Sequence, residues 1–318
     1  MKNIIFSILL ILISLNGYSQ TTKVLNGNKE EEFIRFDSTG LIYYKNKPYT
    51  GVYEGYHDNG QLEVKGSYLN GKETGVWEYD HDNGKLWMKG SYLNGKETGV
   101  WEYYYENGQL RSKGSYLNGE ETGVWVNYYD DGKLMVKGSY LNGILNGVWE
   151  EYHDNGQLME KGSYLNEEKN GVWKYYDENG EISSKDSYLN GERNGVWETY
   201  RNNGQLYSKV SYLNGKWNGV WETYYENGKI REKGSYLNGK MNGIYEKYHE
   251  NGQLLSKGSY HNGKRNGLWN YFYSDGTIDE VGSYLNDKKN GVWKIFDYDT
   301  KKITKMTYKN GLVLDMTN

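Results

Sequence analysis

The chain has 318 residues, a formal charge of −4 from 38 Lys and Arg against 42 Asp and Glu, and a composition heavy in Gly (42), Tyr (35) and Trp (11) with no Cys. Lys and Glu are interleaved, so no basic stripe offers itself to nucleic acid or anionic lipid, and without Cys there is neither a disulfide framework nor a lipid-modified cysteine. A mean hydropathy of −0.94 is too polar for the single central core that this length would ordinarily build.

Residues 1–19 hold Lys2, an apolar run from Ile4 to Leu15, and the small residues Gly17 and Ser19 before Gln20. That order reads as a secretory signal peptide, and the run falls short of the ~20 residues of a membrane-spanning helix. The mature chain is therefore expected in the periplasm, at the cell surface or in the medium, with no membrane contact indicated. Residues 20–50 carry Glu30-Glu31-Glu32, Pro48 and a degenerate half-repeat from Gly40 to Lys47. They are expected to cap the start of a repeat array, and residues 300–318, where Lys301-Lys302 replace a turn, to cap its end.

Residues 51–299 form that tandem array. Tyr53, Trp77, Trp101, Trp125, Trp149, Trp173, Trp197, Trp221, Tyr245, Trp269 and Trp293 succeed one another at a spacing of 24, the mark of a repeat architecture. The unit around Trp101 contains two Asn-Gly dipeptides, Asn107-Gly108 and Asn118-Gly119, between runs rich in Trp, Tyr and Val, the pattern of two-residue type I′ hairpins; Glu167 and Asp287 replace the second Gly in two other units. With Asn107-Gly108 as such a turn, Glu106 faces Gln109, Glu102 faces Lys113, Trp101 faces Gly114 and Gly99 faces Tyr116. The same count brings Glu and Lys together in seven of the eleven units, including Glu54/Lys65, Glu150/Lys161 and Glu246/Lys257, as cross-strand charge pairing favours.

Alternation along the strands then places Trp101, Gly114 and Tyr116 on one face and Val100, Glu102, Tyr104, Lys113 and Ser115 on the other. The nine tryptophans above with Tyr92, Tyr116, Tyr140, Gly90, Gly114 and Gly138 are the expected anchors. Each aromatic ring is predicted to shield the bare glycine backbone facing it across its own hairpin. Tyr104, Tyr128, Tyr152, Tyr176, Tyr200 and Tyr224 are the candidate binding surface. The expected fold is all-β, an elongated single-layer antiparallel meander of about 22 strands, twisted or curled. Two strands per unit at ~4.8 Å advance it roughly 9.6 Å per repeat.

The stretch Tyr92-Leu93-Asn94-Gly95-Lys96-Glu97-Thr98-Gly99, followed by an aromatic strand, resembles the MORN repeat. The longer unit with Gly-Val-Trp-Glu and a second Asn-Gly-Gln-Leu resembles the bacterial MORN-repeat variant grouped as the YwqK-type antitoxin family. The resemblance implies hairpin sheets acting in protein association, and an antitoxin role by family grouping. The second Gly-x-Gly of the ordinary motif is replaced by Gly-Val-Trp, so lipid-binding and dimerisation properties do not carry over by position.

Residues bearing chemistry recur with the repeat rather than standing apart. His57, His81, His153 and His249 share one slot, four after the Trp position, yet equivalent slots lie roughly 9.6 Å apart, too far for the ~2.0–2.1 Å bonds of a shared zinc. One acid per turn falls short of the six to eight oxygens that calcium takes, and no nucleophile has a His partner in register. No metal, cofactor or catalytic residue is expected. The reading is a non-enzymatic exported scaffold that binds a protein partner. The alternative is a cell-wall polysaccharide binder that stacks sugars on its aromatics.

Overall fold

The computed structural model describes residues 24–26, 34–36 and 40–317; the signal peptide read at residues 1–19 lies outside the described residues. Every regular element among them is a strand. The chain divides into two compact units, Met1–Gly108 and Gln109–Asn318, and in each the repeats run as an antiparallel meander, two strands to a repeat. The strand count exceeds the expected one because strands flank the array on both sides and because three strands carrying the repeat aromatic are interrupted, as between Glu192–Arg193 and Gly195–Tyr200.

The second Asn-Gly of each unit is the type I′ turn that the dipeptide predicts: Asn118 and Gly119 both take left-handed φ, 56° and 85°. The first is a different turn. In the repeat around Trp149, His153 N donates to Gln157 O (2.8 Å) and Gly156 N to His153 O (2.8 Å), closing a three-residue loop with only Gly156 left-handed (φ 86°). Asn155 therefore serves through its side chain, whose Oδ1 accepts the N–H of Gln157 at 2.8 Å, an Asx turn rather than a positive φ. The predicted facing of the residues just outside Asn-Gly fails accordingly.

A one-residue bulge between Glu151 and Tyr152 absorbs the extra loop residue and restores the predicted register: Glu150 faces Lys161, Trp149 faces Gly162 and Gly147 faces Tyr164. Of the seven predicted Glu/Lys pairs, the six that lie within one unit all face each other.

The tryptophans correct the sequence reading in one respect. The indole does not cover the glycine across its own hairpin but the glycine of the preceding repeat. A Cβ built on Gly90 would stand 2.0 Å from Trp101 Cδ2, and one on Gly114 would stand 1.9 Å from Trp125 Cδ2, so Gly114 belongs to Trp125 and not to Trp101. The cause is a second bulge. Lys113 faces Val126 and Ser115 faces Thr122, leaving Gly123, Val124 and Trp125 opposite Gly114 alone. Gly123 turns at φ 68°, which a β-branched or bulky residue would not adopt, and the indole swings back over the neighbouring repeat.

Its N–H finds a partner there: Trp125 Nε1 donates to Ser115 O (3.3 Å) and Trp173 Nε1 to Ser163 O (3.2 Å). Tyrosines meet the indoles edge-on, as Tyr164 does Trp173 at 5.0 Å and 78°. A single sheet layer thereby buries Trp101 to 2% and Trp173 and Trp293 to 0% exposure, without a second layer above it.

Where another side chain takes the space, the indole stands away. Asp186 and Val210 occupy the glycine slot, and Trp197 and Trp221 are only half-buried; at the half-buried Trp149, Tyr140 shares the slot, its Cε2 3.4 Å from where a Cβ on Gly138 would stand. In these repeats the bulge glycine opens, with φ of 113° at Gly147, 103° at Gly195 and 100° at Gly219.

In the first unit the half-repeat covers the start of the aromatic face. Ile42 and Tyr49 are buried with Tyr68 and Trp77, held by Ile42 N to Gly71 O (3.0 Å) and Gly71 N to Tyr49 O (2.7 Å). Val24–Asn26 pairs in parallel with Val52–Glu54. In the second unit Ile303–Lys309 and Leu312–Thr317 continue the meander, and Leu312, Val313, Leu314 and Met316 of the last strand are all exposed.

Candidate interaction surfaces

The two faces of the sheet differ in chemistry because odd and even positions do. On the aromatic face the six buried indoles, Trp77, Trp101, Trp125, Trp173, Trp269 and Trp293, are covered on both sides. Glycine backbone lies beneath, and the outer surface meets tyrosines or a cation, as with Lys169 over Trp173 at 3.8 Å and Lys289 over Trp293 at 3.9 Å. The slot four before the Trp position holds Glu73, Glu97 and Glu121 in three successive repeats, and further on it holds the cations Lys169, Arg193, Arg265 and Lys289 as well as Leu145, Trp217 and Met241.

The opposite face is built of Val, Ser, Leu, Glu, Lys and Tyr. The residue before each Trp stands out into solvent: Val76 and Val100 in the first unit, and Val124, Val148, Val172, Val196, Val220, Ile244, Leu268 and Val292 in the second, 39–60% exposed. Val124 faces Ser139 directly, and Leu141, two residues on from Ser139 and 50% exposed, lies on the diagonal at roughly 7–8 Å. Each hairpin thus presents a Val/Leu pair, and the pairs recur as a row. Between Val220 and Ile244 the row dips into a groove of about 450 Å³, walled by Ser235, Lys233 and Glu246.

Charges border this row as ladders. Glu246 receives Lys233 from the preceding repeat and Lys257 from its own hairpin, both at 2.8 Å; Glu150 lies likewise between Lys137 and Lys161. Burial pushes the Glu246 carboxyl up, but bonds from Lys233, Lys257 and Tyr248 outweigh it and hold the group at about 2.

The six tyrosines chosen from sequence stand on this face and are half-buried. Four of them donate to the glutamate two residues before: Tyr104 to Glu102 (2.9 Å), Tyr152 to Glu150 (3.3 Å), Tyr200 to Glu198 (2.7 Å) and Tyr224 to Glu222 (2.6 Å). Burial, and then that bond, pushes Tyr104 and Tyr224 up to about 12. Tyr128 and Tyr176 have Val126 and Lys174 in the glutamate's place. The tyrosines frame the Val/Leu row, to which the sequence reading gave no role.

The histidine slot proves to be a staple between repeats. His57 Nε2 meets Asp80 O (3.0 Å), His153 meets Tyr176 O (3.2 Å) and His249 meets Phe272 O (2.9 Å). Tyr129 and Tyr225 donate to Tyr152 O and Tyr248 O, and Arg201 to Tyr224 O. Nine of the eleven slots carry a polar group at the far end of a long His, Tyr or Arg side chain, and that mixture was the visible signal; Asp177 instead caps its own loop, accepting Asn179 N and Glu181 N at Oδ1. Beside it, Asn155 Nδ2 donates to Glu178 O (2.7 Å) and Asn227 to Glu250 O (3.0 Å), so the turn asparagines form a ladder. Among the described residues no group of three or more His, Asp or Glu side chains is placed to hold a metal ion.

The family model described as "MORN repeat variant" matches residues 49–70, 97–118, 121–142, 145–166, 169–190, 193–214, 217–238 and 241–262, together more than half of the chain. No curated protein matches it. Among solved structures, one similar over a short stretch is a point mutant of S. aureus TarM, crystallised in complex with Fondaparinux, alpha-GlcNAc-glycerol and UDP. The identity is 12% and the TM-score 0.22, over 30% of this chain and 19% of that one.

Proposed function

The chain belongs to the family of MORN repeat variants, and from that premise we propose that it is an exported, non-enzymatic scaffold that holds another protein against its Val/Leu face. The observation that carries this reading is the row of exposed Val, Ile and Leu side chains before the Trp positions, repeated through both units. Aliphatic side chains left in water at a fixed interval, edged by charge ladders, have the make-up of a surface that associates. Trp77, Trp101, Trp125, Trp173, Trp269 and Trp293 are buried in holding repeats together, which leaves the sugar-stacking alternative only the half-buried Trp149, Trp197, Trp217 and Trp221 and the exposed Trp87. That alternative requires rings with a free face.

Export rests on the run Ile4–Leu15 with Gly17 and Ser19, and detection of a processed chain beginning at Gln20 outside the cytoplasm is its check. For the scaffold, the full mature chain is used to pull down partners from envelope extract beside a variant carrying Val148→Asp, Val172→Asp and Val220→Asp. Capture of a defined protein that the variant loses is expected. Capture of nothing, or equal capture by both, would sink the proposal. Retention on insoluble cell-wall glycan, lost on changing Tyr104 and Tyr128 to Ala, would replace it by the polysaccharide reading.

A further inference from the structure

We propose that the groove between the last two loops of the histidine-slot edge, around Tyr273 and Tyr298, is a binding site for an organic ammonium ion. It is independent of the Val/Leu face. In the earlier loops the slot five after the Trp position holds a small polar or acidic residue, such as Asp58, Asp154 or Ser274; in the last it is Tyr298. Here the loop is also wider, since Asp297 N donates to Lys302 O (2.9 Å) and Phe296 faces Ile303 without the usual bulge.

The new ring is fixed rather than loose. Tyr298 donates to Asp275 Oδ2 of the preceding loop (3.0 Å) and meets Tyr273 edge-on at 5.0 Å and 63°. Tyr273 in turn donates to Phe296 O (3.1 Å). Against these two rings, and lined as well by Thr277, Ile278, Asp297 and Lys301, lies a groove of about 410 Å³, within the size range of small-ligand sites.

Aromatic faces attract cations through their quadrupole, and two carboxylates, Asp275 and Asp297, stand at this groove beside the chain's own Lys301. Thr277 donates to Asp275 through its backbone N–H (2.8 Å) and its hydroxyl (2.7 Å), and Thr300 N donates to Asp297 Oδ1 (2.7 Å). Both carboxyls are thereby held below the usual carboxylate range, so both stay charged at neutral pH. The chain's own cation already uses the ring: Lys301 Nζ lies 4.3 Å over Tyr298. A methylated ammonium sheds water more readily than that primary amine and suits the apolar walls better, so it competes for the same ring face.

The test is equilibrium dialysis of the full mature chain against labelled tetramethylammonium, with tert-butanol as an uncharged competitor of similar size. Saturable binding of one equivalent, not displaced by tert-butanol, is expected. Tyr298→Ala should weaken it by about fivefold or more, the scale of one cation–ring contact. Lys301→Gln should strengthen it, and Asp297→Asn, which keeps every ring, should weaken it. Far-UV circular dichroism verifies that each variant is folded. Absence of saturable binding, equal displacement by tert-butanol, or an affinity unchanged in both Tyr298→Ala and Asp297→Asn would overturn the assignment.

Discussion

Trp125 lies across Gly114 so closely that a Cβ on the glycine would stand 1.9 Å from Cδ2 of the indole. The two residues belong to successive repeats, so the contact joins one hairpin to the next. Gly114→Val should destabilise the chain by about 1–3 kcal/mol through overpacking, seen in urea unfolding followed by Trp fluorescence. Gly138→Val is the control: its Cβ would come no nearer than 3.0 Å to Trp149, and the loss should be smaller. Equal losses would contradict the arrangement.

Asp186 shows the effect of filling this slot. It faces Trp173, is 6% exposed, and has an Oδ1 without a hydrogen-bond partner. Trp197 beside it is tilted 48° to Tyr212 where regular repeats are near perpendicular. Burial raises the carboxyl to about 6, against the pull of Ser184, Arg193 and Lys169. The folded state therefore binds the proton more tightly than the unfolded chain. The contribution of Asp186 to stability is most favourable below pH ~4, where both states are protonated, and is lost as pH rises through about 6. Asp186→Gly should remove that slope and raise stability at pH 7, on the order of 1–3 kcal/mol more than at pH 4. Melting temperatures at the two pH values decide it, and a gain independent of pH would refute the buried-carboxylate account.

The repeat, the all-β class and the cross-strand register were legible because a 24-residue period carried through eleven units meets a Glu/Lys pairing rule that seven of them obey. What escaped is set by backbone detail that pattern does not encode. Asn107-Gly108 and Asn118-Gly119 are spelled alike, yet only in the second does the Asn take a left-handed φ. The difference lies in loop length. The direction of each indole likewise depends on the bulge at residues such as Gly123, and alternation alone assigns the Trp to a face without saying which neighbouring strand it covers. The exposed Val/Leu row was present in the sequence, but β-branched residues in strands are so usual that exposure, not identity, distinguishes them.

The two spellings of Asn-Gly yield a direct test. At the type I′ turn Asn118→Gly keeps the required φ and should be nearly neutral. At the three-residue loop Asn227→Gly loses Lys229 N to Asn227 Oδ1 (3.0 Å) and Asn227 Nδ2 to Glu250 O (3.0 Å), and should cost about 0.5–1.5 kcal/mol for each net bond. Urea midpoints of the two variants should therefore separate. The reverse order would assign the turns wrongly.

The staple slot predicts a loss that needs no change of shape. Tyr225→Phe removes only the hydroxyl that donates to Tyr248 O at 2.6 Å, leaving a partly buried carbonyl with one partner fewer, at about 1 kcal/mol. Hydrogen exchange should quicken in the strand ending at Tyr248 and not in distant repeats, because neighbour terms dominate a repeat array. A loss spread evenly over the second unit would mean that the bond serves some wider role.

Acid should act first on the charge ladders. Glu246 is held at about 2, burial opposing and the bonds from Lys233, Lys257 and Tyr248 prevailing, whereas an unfolded Glu titrates near ~4.3. The unfolded chain therefore takes up the proton first. The stability that Glu246 contributes is complete above pH ~5 and is lost as pH falls towards 2. Both lysines are well exposed, 39% and 47%, so solvent screening keeps the contribution modest and salt should reduce it further. Glu246→Gln should flatten the decline in melting temperature between pH 5 and pH 2.5, and 1 M NaCl should bring wild type towards the variant. Parallel curves for the two proteins across that range would show that the ladder adds nothing to the stability of the sheet.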